Sequence, residues 1–193
     1  ALPRMYERMK SNEIGRKLLK EKPSYKYVQD KIPELLALPP NTFGYCYGTF
    51  MHSHGFRPDE RTPVRFVDDE DLAYVINRYR ECHDFWHALF ALKPSFFGEV
   101  ALKWVEAVHF GLPMAAGGAI LGPLRFSPET CMVMIREVIP WATRTGLECN
   151  DLLSVEYDHR FEQDVDDLRR ELNVKTPKAY LSNPNKYLLQ SCK

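Results

Sequence analysis

Neither sign of charge dominates this chain. Lys plus Arg number 26, and so do Asp plus Glu. The basic footprint of a nucleic-acid-binding protein is therefore missing, and any membrane contact must come from a local patch. No CxxC pair occurs, and the five cysteines (Cys46, Cys82, Cys131, Cys149, Cys192) are odd in number. That argues against a disulfide scaffold and against a cysteine-built zinc site, and it fits a reducing compartment. No clean apolar run reaches the length of a membrane span. The nearest, residues 107–124, is interrupted by His109, Pro113 and four glycines, so it reads as buried or interfacial. The opening ALPRMYERMK has no apolar h-region and acquires acidic residues early, which speaks against a signal or transit peptide. Internal repeats and low-complexity segments are absent, and alternating strand patterns are few.

What remains is a mostly helical pattern punctuated by proline and glycine. With 193 residues, of which 45% are hydrophobic, the chain suits one compact domain with a filled core. We expect an all-α, single-domain helical bundle with short loops over 1–193. One or two helices occupy 1–22. A short piece follows at Gln29–Leu36. Asn41 or Thr42 caps a helix fading at His54-Gly55, and residues 56–67 form a loop. Four carboxylates, Asp68 to Asp71, favour a helix N-terminus through the macrodipole. That helix is predicted to run to about Leu92, before Lys93-Pro94. Ser95 caps the next, which stops at Gly111. The region 68–111 is thus a helix pair. Ser127-Pro128-Glu129 starts another helix, broken near Pro140 and ending near Gly146. A last long helix is predicted over Asn150–Leu172, then an extended tail over 173–193.

The chemistry concentrates in the helix pair. On a helical wheel Leu72, Val75, Ile76, Tyr79, Trp86 and Phe90 share one face of the first helix. His83 lies in the middle of that face, with His87 one turn on and Asp84 at its edge. Two imidazoles aimed into a core need partners for their nitrogens. Ordinary hydrogen bonding is one solution. A shared metal ion is the other, since the i, i+4 spacing presents two ligands to one ion. Glu99 sits in the first turn of the next helix, where it can fold back toward the histidines. Alternatively it forms an exposed pair with Lys103, four residues on. Glu106 shares its face and serves either as an outer partner or as a solvated group. Two His with carboxylates suit Zn²⁺ first, and Fe²⁺ or Mn²⁺ as well. Asp replaces the glutamate of a protease HExxH motif. An HD-type phosphohydrolase would need further ligands, for which His159 with Asp158 or Asp166 are available.

The spacing His83, Asp84, His87, then Glu99, resembles the signature of the ubiquinone (coenzyme Q) biosynthesis protein 4 family. The flanking text agrees: RFVDDEDLAYVINRYRECHD before it, GEVALKWVEAVHFGLPM and GPLRFS after it, then VIPWA and LREELNV. The resemblance spans roughly Met9 to Val174. Family members usually carry more sequence at the N-terminus, including a mitochondrial address in eukaryotes. The resemblance implies a helical fold and a divalent metal, usually zinc, on His83, Asp84, His87 and Glu99. It implies a peripheral position on the matrix face of the mitochondrial inner membrane, among the other enzymes of coenzyme Q assembly. It also implies a reaction: removal of the C1 carboxylate from a polyprenylated hydroxybenzoate ring, either plainly or oxidatively. Asp84 or Glu99 would be the proton donor if not held by the metal. The alternative within the family is a non-catalytic, lipid-binding scaffold with a structural metal.

A polyprenyl tail needs an apolar wall. Gly111 to Leu124 offers small residues beside large ones, and Phe96, Phe97, Phe110, Leu112 and Met114 are candidates for the same wall; the alternative for all of them is close-packed core. Arg57, Arg61 and Arg65 flank the site helix and could meet lipid phosphates. Leu152, Leu153, Phe161, Val165, Leu168 and Leu172 have core spacing, with a homodimer face as the alternative. His52, His54 and His159 read as surface or cap residues.

Overall fold

The computed structural model describes residues 1–60, 62 and 64–189. Arg61, grouped above with Arg57 and Arg65, lies outside them, as do residues 190–193. The chain is all-α, as expected. In order the helices are α1 (Leu2–Ser11), α2 (Glu13–Glu21), α3 (Val28–Leu36), α4 (Phe43–His54), α5 (Glu70–Leu89), α6 (Phe96–Phe110), α7 (Pro113–Leu121), α8 (Pro128–Val133), α9 (Ile139–Glu148), α10 (Val165–Glu171) and α11 (Pro184–Tyr187). Among the described residues no strand forms. Two isolated antiparallel bridges, Thr42 with Asp164 and Leu92 with Leu188, tie distant segments to helix ends.

Local chemistry sets most boundaries. The side chains of Asn12, Thr42, Asp69, Ser95, Ser127 and Asp164 accept backbone N–H groups in the first turns of α2, α4, α5, α6, α8 and α10. Each such cap contributes about 1 kcal/mol. Gly111 closes α6 in the left-handed conformation, where a residue without Cβ is least strained.

Helix α5 is the central element. α1, α2, α4 and α6 all pack against it, and α7 and α9 pack in turn on α6. The C-terminal half of α5 is largely buried, with Cys82, Phe85, Trp86 and Leu89 in the core. Phe85 stacks on Tyr157 at 5.0 Å between ring centroids and meets Tyr25 edge-on at 4.9 Å. Burying a ring of this size stabilises the fold by roughly 2–3 kcal/mol, and the offset geometry adds to it.

Three expectations need correction. The long helix over Asn150–Leu172 does not form. Residues 149–164 wrap around α5 with no more than a 3-10 turn at Tyr157–Arg160, and α10 is the α-helix of the predicted span. Buried Arg78 explains this: it donates to the carbonyls of Leu153 (2.7 Å) and Val155 (2.6 Å), which a helix would have kept for itself. Gln163 and Phe161 likewise give their carbonyls to Phe43 and Gly44 at the start of α4. The apolar residues predicted for that helix are all buried, so no homodimer face is left on them. Second, the break at Pro140 takes the form of a π-helical turn, Met134–Val138, directly ahead of α9. The wider turn accommodates the missing N–H of the proline. Third, the tail is not extended throughout. Residues Pro177–Ala179 form a 3-10 turn, and α11 follows.

Candidate metal centre

The centre is built where α5 stops and α6 starts. The C-terminal end of α5 is held by several hydrogen bonds. Leu92 N–H donates back to the His87 carbonyl at 2.9 Å, with Ala91 between them at φ 56°. That is the geometry of a Schellman-type stop made without glycine. Buried Arg169 donates to the Leu89 carbonyl (2.7 Å) and the Ala88 carbonyl (3.2 Å), placing a cation on the negative end of the helix. Ser95 then caps α6. Gly98 sits so close to the turn that a Cβ there would lie 1.9 Å from the Lys93 carbonyl oxygen. Only glycine allows α6 to start this tightly, and Glu99 is the next residue.

The result is a convergence of three ligand atoms. His83 Nε2 and His87 Nε2 are 3.3 Å apart. Glu99 places one carboxylate oxygen 3.2 Å from His83 Nε2 and the other 3.0 Å from His87 Nε2. All of these atoms lie within 4.8 Å of one another. Among the described residues this cluster comprises His83, His87 and Glu99 alone. The carboxylate of Asp84 is not among the converging atoms. It is buried and lines the cleft that opens above them. His159 is largely exposed beside Glu156 and Asp158 on a 3-10 turn, so the extra ligands of an HD-type phosphohydrolase do not join the centre.

Each imidazole is oriented from behind. His83 Nδ1 donates to Glu106 Oε1 at 2.6 Å. His87 Nδ1 donates to the Leu92 carbonyl at 3.2 Å, and the His87 ring is stacked by Phe50 at 5.2 Å. A carboxylate and a carbonyl only accept, so both Nδ1 atoms carry the proton. In the neutral rings both Nε2 atoms are then bare lone pairs facing each other and a carboxylate. Three electron-pair donors aimed at one point make a donor set that fits a divalent metal held with outer-sphere support.

The protonation states agree. Burial alone would lower the His83 pKa, but the Glu106 carboxylate, helped by Glu99, outweighs it and pushes the group up to about 9. Without metal, His83 answers the same electrostatic demand by taking a second proton. Burial pushes Glu99 up, yet the two imidazoles beside it, His83 first and then His87, outweigh that and hold it well below the usual carboxylate range. Glu106 is lowered too: burial opposes ionisation, and His83 and Lys103 overcome it.

Glu106 therefore resolves as an outer partner, not a solvated group. Its second oxygen accepts from Tyr79 Oη at 2.6 Å and Lys103 Nζ at 2.5 Å. The alternative exposed pair of Glu99 with Lys103 is not made; Lys103 turns instead to the buried carboxylate of Glu106. Tyr79, read from sequence as merely apolar, is drawn in through its hydroxyl. The signal for Glu106 was its seven-residue spacing from Glu99, two turns on one face.

Above the ligands lies an open cleft of about 500 Å³, lined by Gly55, Phe56, Arg57, Glu60, Thr62, Arg80, His83, Asp84 and Glu99. Of the residues considered for a lipid tail, Phe97, Phe110 and Leu112 are buried, Phe110 stacked on Trp86 at 5.0 Å. Phe96 and Met114 are exposed. Met114 belongs to an apolar surface with Ile120, Leu121 and Leu124, all at least 60% exposed, along α7 and the turn after it. No described helix is long and apolar enough to cross a membrane.

Comparison with known proteins places this geometry. A sequence model for coenzyme Q (ubiquinone) biosynthesis protein Coq4 matches residues 1–178. Ubiquinone biosynthesis protein COQ4 homolog, mitochondrial, of Aedes aegypti is 42% identical over 179 residues, covering 93% of this chain and 65% of that protein. The Schizosaccharomyces japonicus protein named coq4, mitochondrial, is 40% identical over 182 residues, covering 94% and 76%. The Bos taurus homologue is 42% identical over 171 residues, covering 89% and 64%. The chain thus spans less than two thirds of the mosquito and cattle proteins. A Nostoc punctiforme crystal structure whose name ties it to ubiquinone biosynthesis shares the fold, with a TM-score of 0.70 at 18% identity over 91% of this chain and 82% of that one. The helical pair, its centre and these matches together show that the chain belongs to the coenzyme Q (ubiquinone) biosynthesis protein Coq4 family.

Proposed function

We propose that this chain carries out a metal-dependent step of coenzyme Q biosynthesis, removal of the C1 carboxylate from a polyprenylated hydroxybenzoate ring. The observation that carries this is that two residues of the converging triad, His83 and Glu99, line an open cleft, with His87 buried directly behind them. A structural zinc is normally closed by four protein ligands, whereas a catalytic one keeps a position for water or substrate. A divalent ion bound there would supply Lewis acidity toward a phenolic or carboxylate oxygen of the ring.

The protein side of the reaction falls to the cleft walls. Loss of CO₂ breaks the bond between ring and carboxylate, and the electron pair left on the ring carbon must receive a proton. Glu99 is tied as a carboxylate to both histidines, so it is a ligand rather than a donor. Asp84, which is buried and lines the cleft, would be the group to deliver that proton in this reading. Glu106 and the Leu92 carbonyl keep both imidazoles turned toward the metal position. An oxidative course, with hydroxyl replacing carboxylate, would require oxygen and iron in place of zinc.

The prenyl tail would leave along the exposed apolar surface of Phe96, Met114, Ile120 and Leu121. The same surface would rest peripherally on the matrix face of the inner mitochondrial membrane, beside the other biosynthetic proteins. The test is metal analysis of the purified protein combined with an assay for CO₂ release from a short-tailed prenyl-hydroxybenzoate, with and without oxygen. Bound zinc with oxygen-independent release supports the plain reaction; bound iron with oxygen dependence supports the oxidative one. Bound metal without product under either condition overturns the enzyme reading in favour of a lipid-holding scaffold.

A further inference from the structure

The cleft above the centre holds two arginines, and their situations differ. Arg57 is neutralised in place: its guanidinium contacts both oxygens of Asp59, at 3.2 and 2.8 Å, and Glu60 at 3.3 Å. Arg80 makes one hydrogen bond, to the Thr62 carbonyl at 2.9 Å. Among the described residues no carboxylate lies within ion-pair distance of it. A guanidinium has five N–H donors, so four remain available at the cleft wall. The helix aims them. Arg80, His83, Asp84 and His87 follow one another at i, i+3, i+4 and i+7, one stripe of α5, and Arg80 stands just under one turn, about 4.5 Å along the axis, before His83. Of the three acids that line the cleft, Glu60 is engaged with Arg57 and Glu99 with both histidines, and Asp84 is not free either. Phe56 also lines the cleft, with a ring 42% exposed and backed by Phe50 at 5.7 Å and by His54 at 5.6 Å.

We propose that Arg80 is the anion-recognising residue of the cleft, holding the carboxylate of an aromatic acid so that its ring lies between Phe56 and the His83/His87/Glu99 centre. This rests on the reading of the site as one that takes a ring carboxylate. Guanidinium and carboxylate match as planar partners through two parallel N–H···O bonds. The phenyl face gives the ring an apolar surface without choosing between substituted and unsubstituted rings. Discrimination for the carboxylate therefore falls to Arg80.

The test compares binding of two ligands by the metal-loaded full chain: a 4-hydroxybenzoate with a short prenyl chain, and the corresponding prenylphenol lacking the carboxylate. Wild type is expected to bind the acid at least tenfold more tightly. Arg80→Gln should weaken the acid on the order of 10- to 100-fold and leave the phenol within about twofold, with metal content and melting temperature unchanged. Arg80→Lys, which keeps the charge but not the fork, should recover part of the loss. Four outcomes overturn the proposal: no preference for the acid in wild type, an unchanged preference in Arg80→Gln, equal weakening of both ligands, or loss only of binding to anionic vesicles, which would assign Arg80 to lipid phosphate. Failure of the decarboxylase reading looks different, as an Arg80-dependent preference without CO₂ release.

Discussion

Glu106 Oε1 stands 2.6 Å from His83 Nδ1, on the side of the ring away from the other ligands. The pair fixes the tautomer that presents Nε2 to the centre. Glu106→Gln keeps the size of the side chain but loses the negative charge. We expect metal affinity to fall roughly 10- to 100-fold, read by competition with a chromogenic chelator. Unchanged affinity would mean that His87 and Glu99 bind without His83's help.

His87→Ala should remove metal and activity together, because it deletes one of three converging ligands and Phe50 cannot replace it. Elemental analysis of the purified variant decides the matter. A full complement of metal would show that the assignment of the centre is wrong.

The metal-free protein should lose stability as pH rises from about 6.5 to about 9. His83 has a folded pKa near 9 against an ordinary 6.5, so its contribution is complete below 6.5 and disappears as pH passes the folded value. The amount is up to roughly 3 kcal/mol, visible in thermal melts at pH 6.5 and 9.5. Metal replaces the same proton, so metal affinity should tighten over the same range. A metal-free melting temperature that is flat across it would contradict the protonated His83.

Gly98→Ala should destabilise the fold by about 1–3 kcal/mol, the usual cost of overpacking, because the added Cβ meets the Lys93 carbonyl oxygen. The start of α6 must retreat to relieve the contact, and Glu99 retreats with it. The signature is a lowered melting temperature together with weakened metal binding. Loss of stability with metal affinity intact would show that Glu99 tolerates the shift.

How much of this was legible beforehand depends on how local the cause is. The ends of α5 and α6 were readable because Asp69, Ser95 and Gly111 act on their own turns. The His83/His87 pair was readable because the helix repeat alone brings the two rings together. Glu99 was not decided by spacing, since Lys103 offered it an equally regular partner; what brings it against the two histidines is the α5–α6 turn, with Ala91 left-handed and Gly98 against Lys93. The segment 149–164 was misread because its apolar spacing suits a helix and a buried loop equally. The choice between them is made by Arg78, far away in sequence, which claims two of its carbonyls. Arg80 and Phe56 gave no signal, because an arginine three residues before a histidine and an aromatic in a loop are both ordinary.

The turn that sets the distance between His87 and Glu99 does not stand alone. Lys93 donates to the Tyr187 carbonyl, and Leu189 donates to the Ala91 carbonyl, so the segment around Leu188 is stitched across the joint between the two ligand-bearing helices. This makes that segment a lever on the centre. A fused tag, a docking protein or a proteolytic cut that draws residues 187–189 away would act mechanically on the spacing of the ligands, without touching any of them.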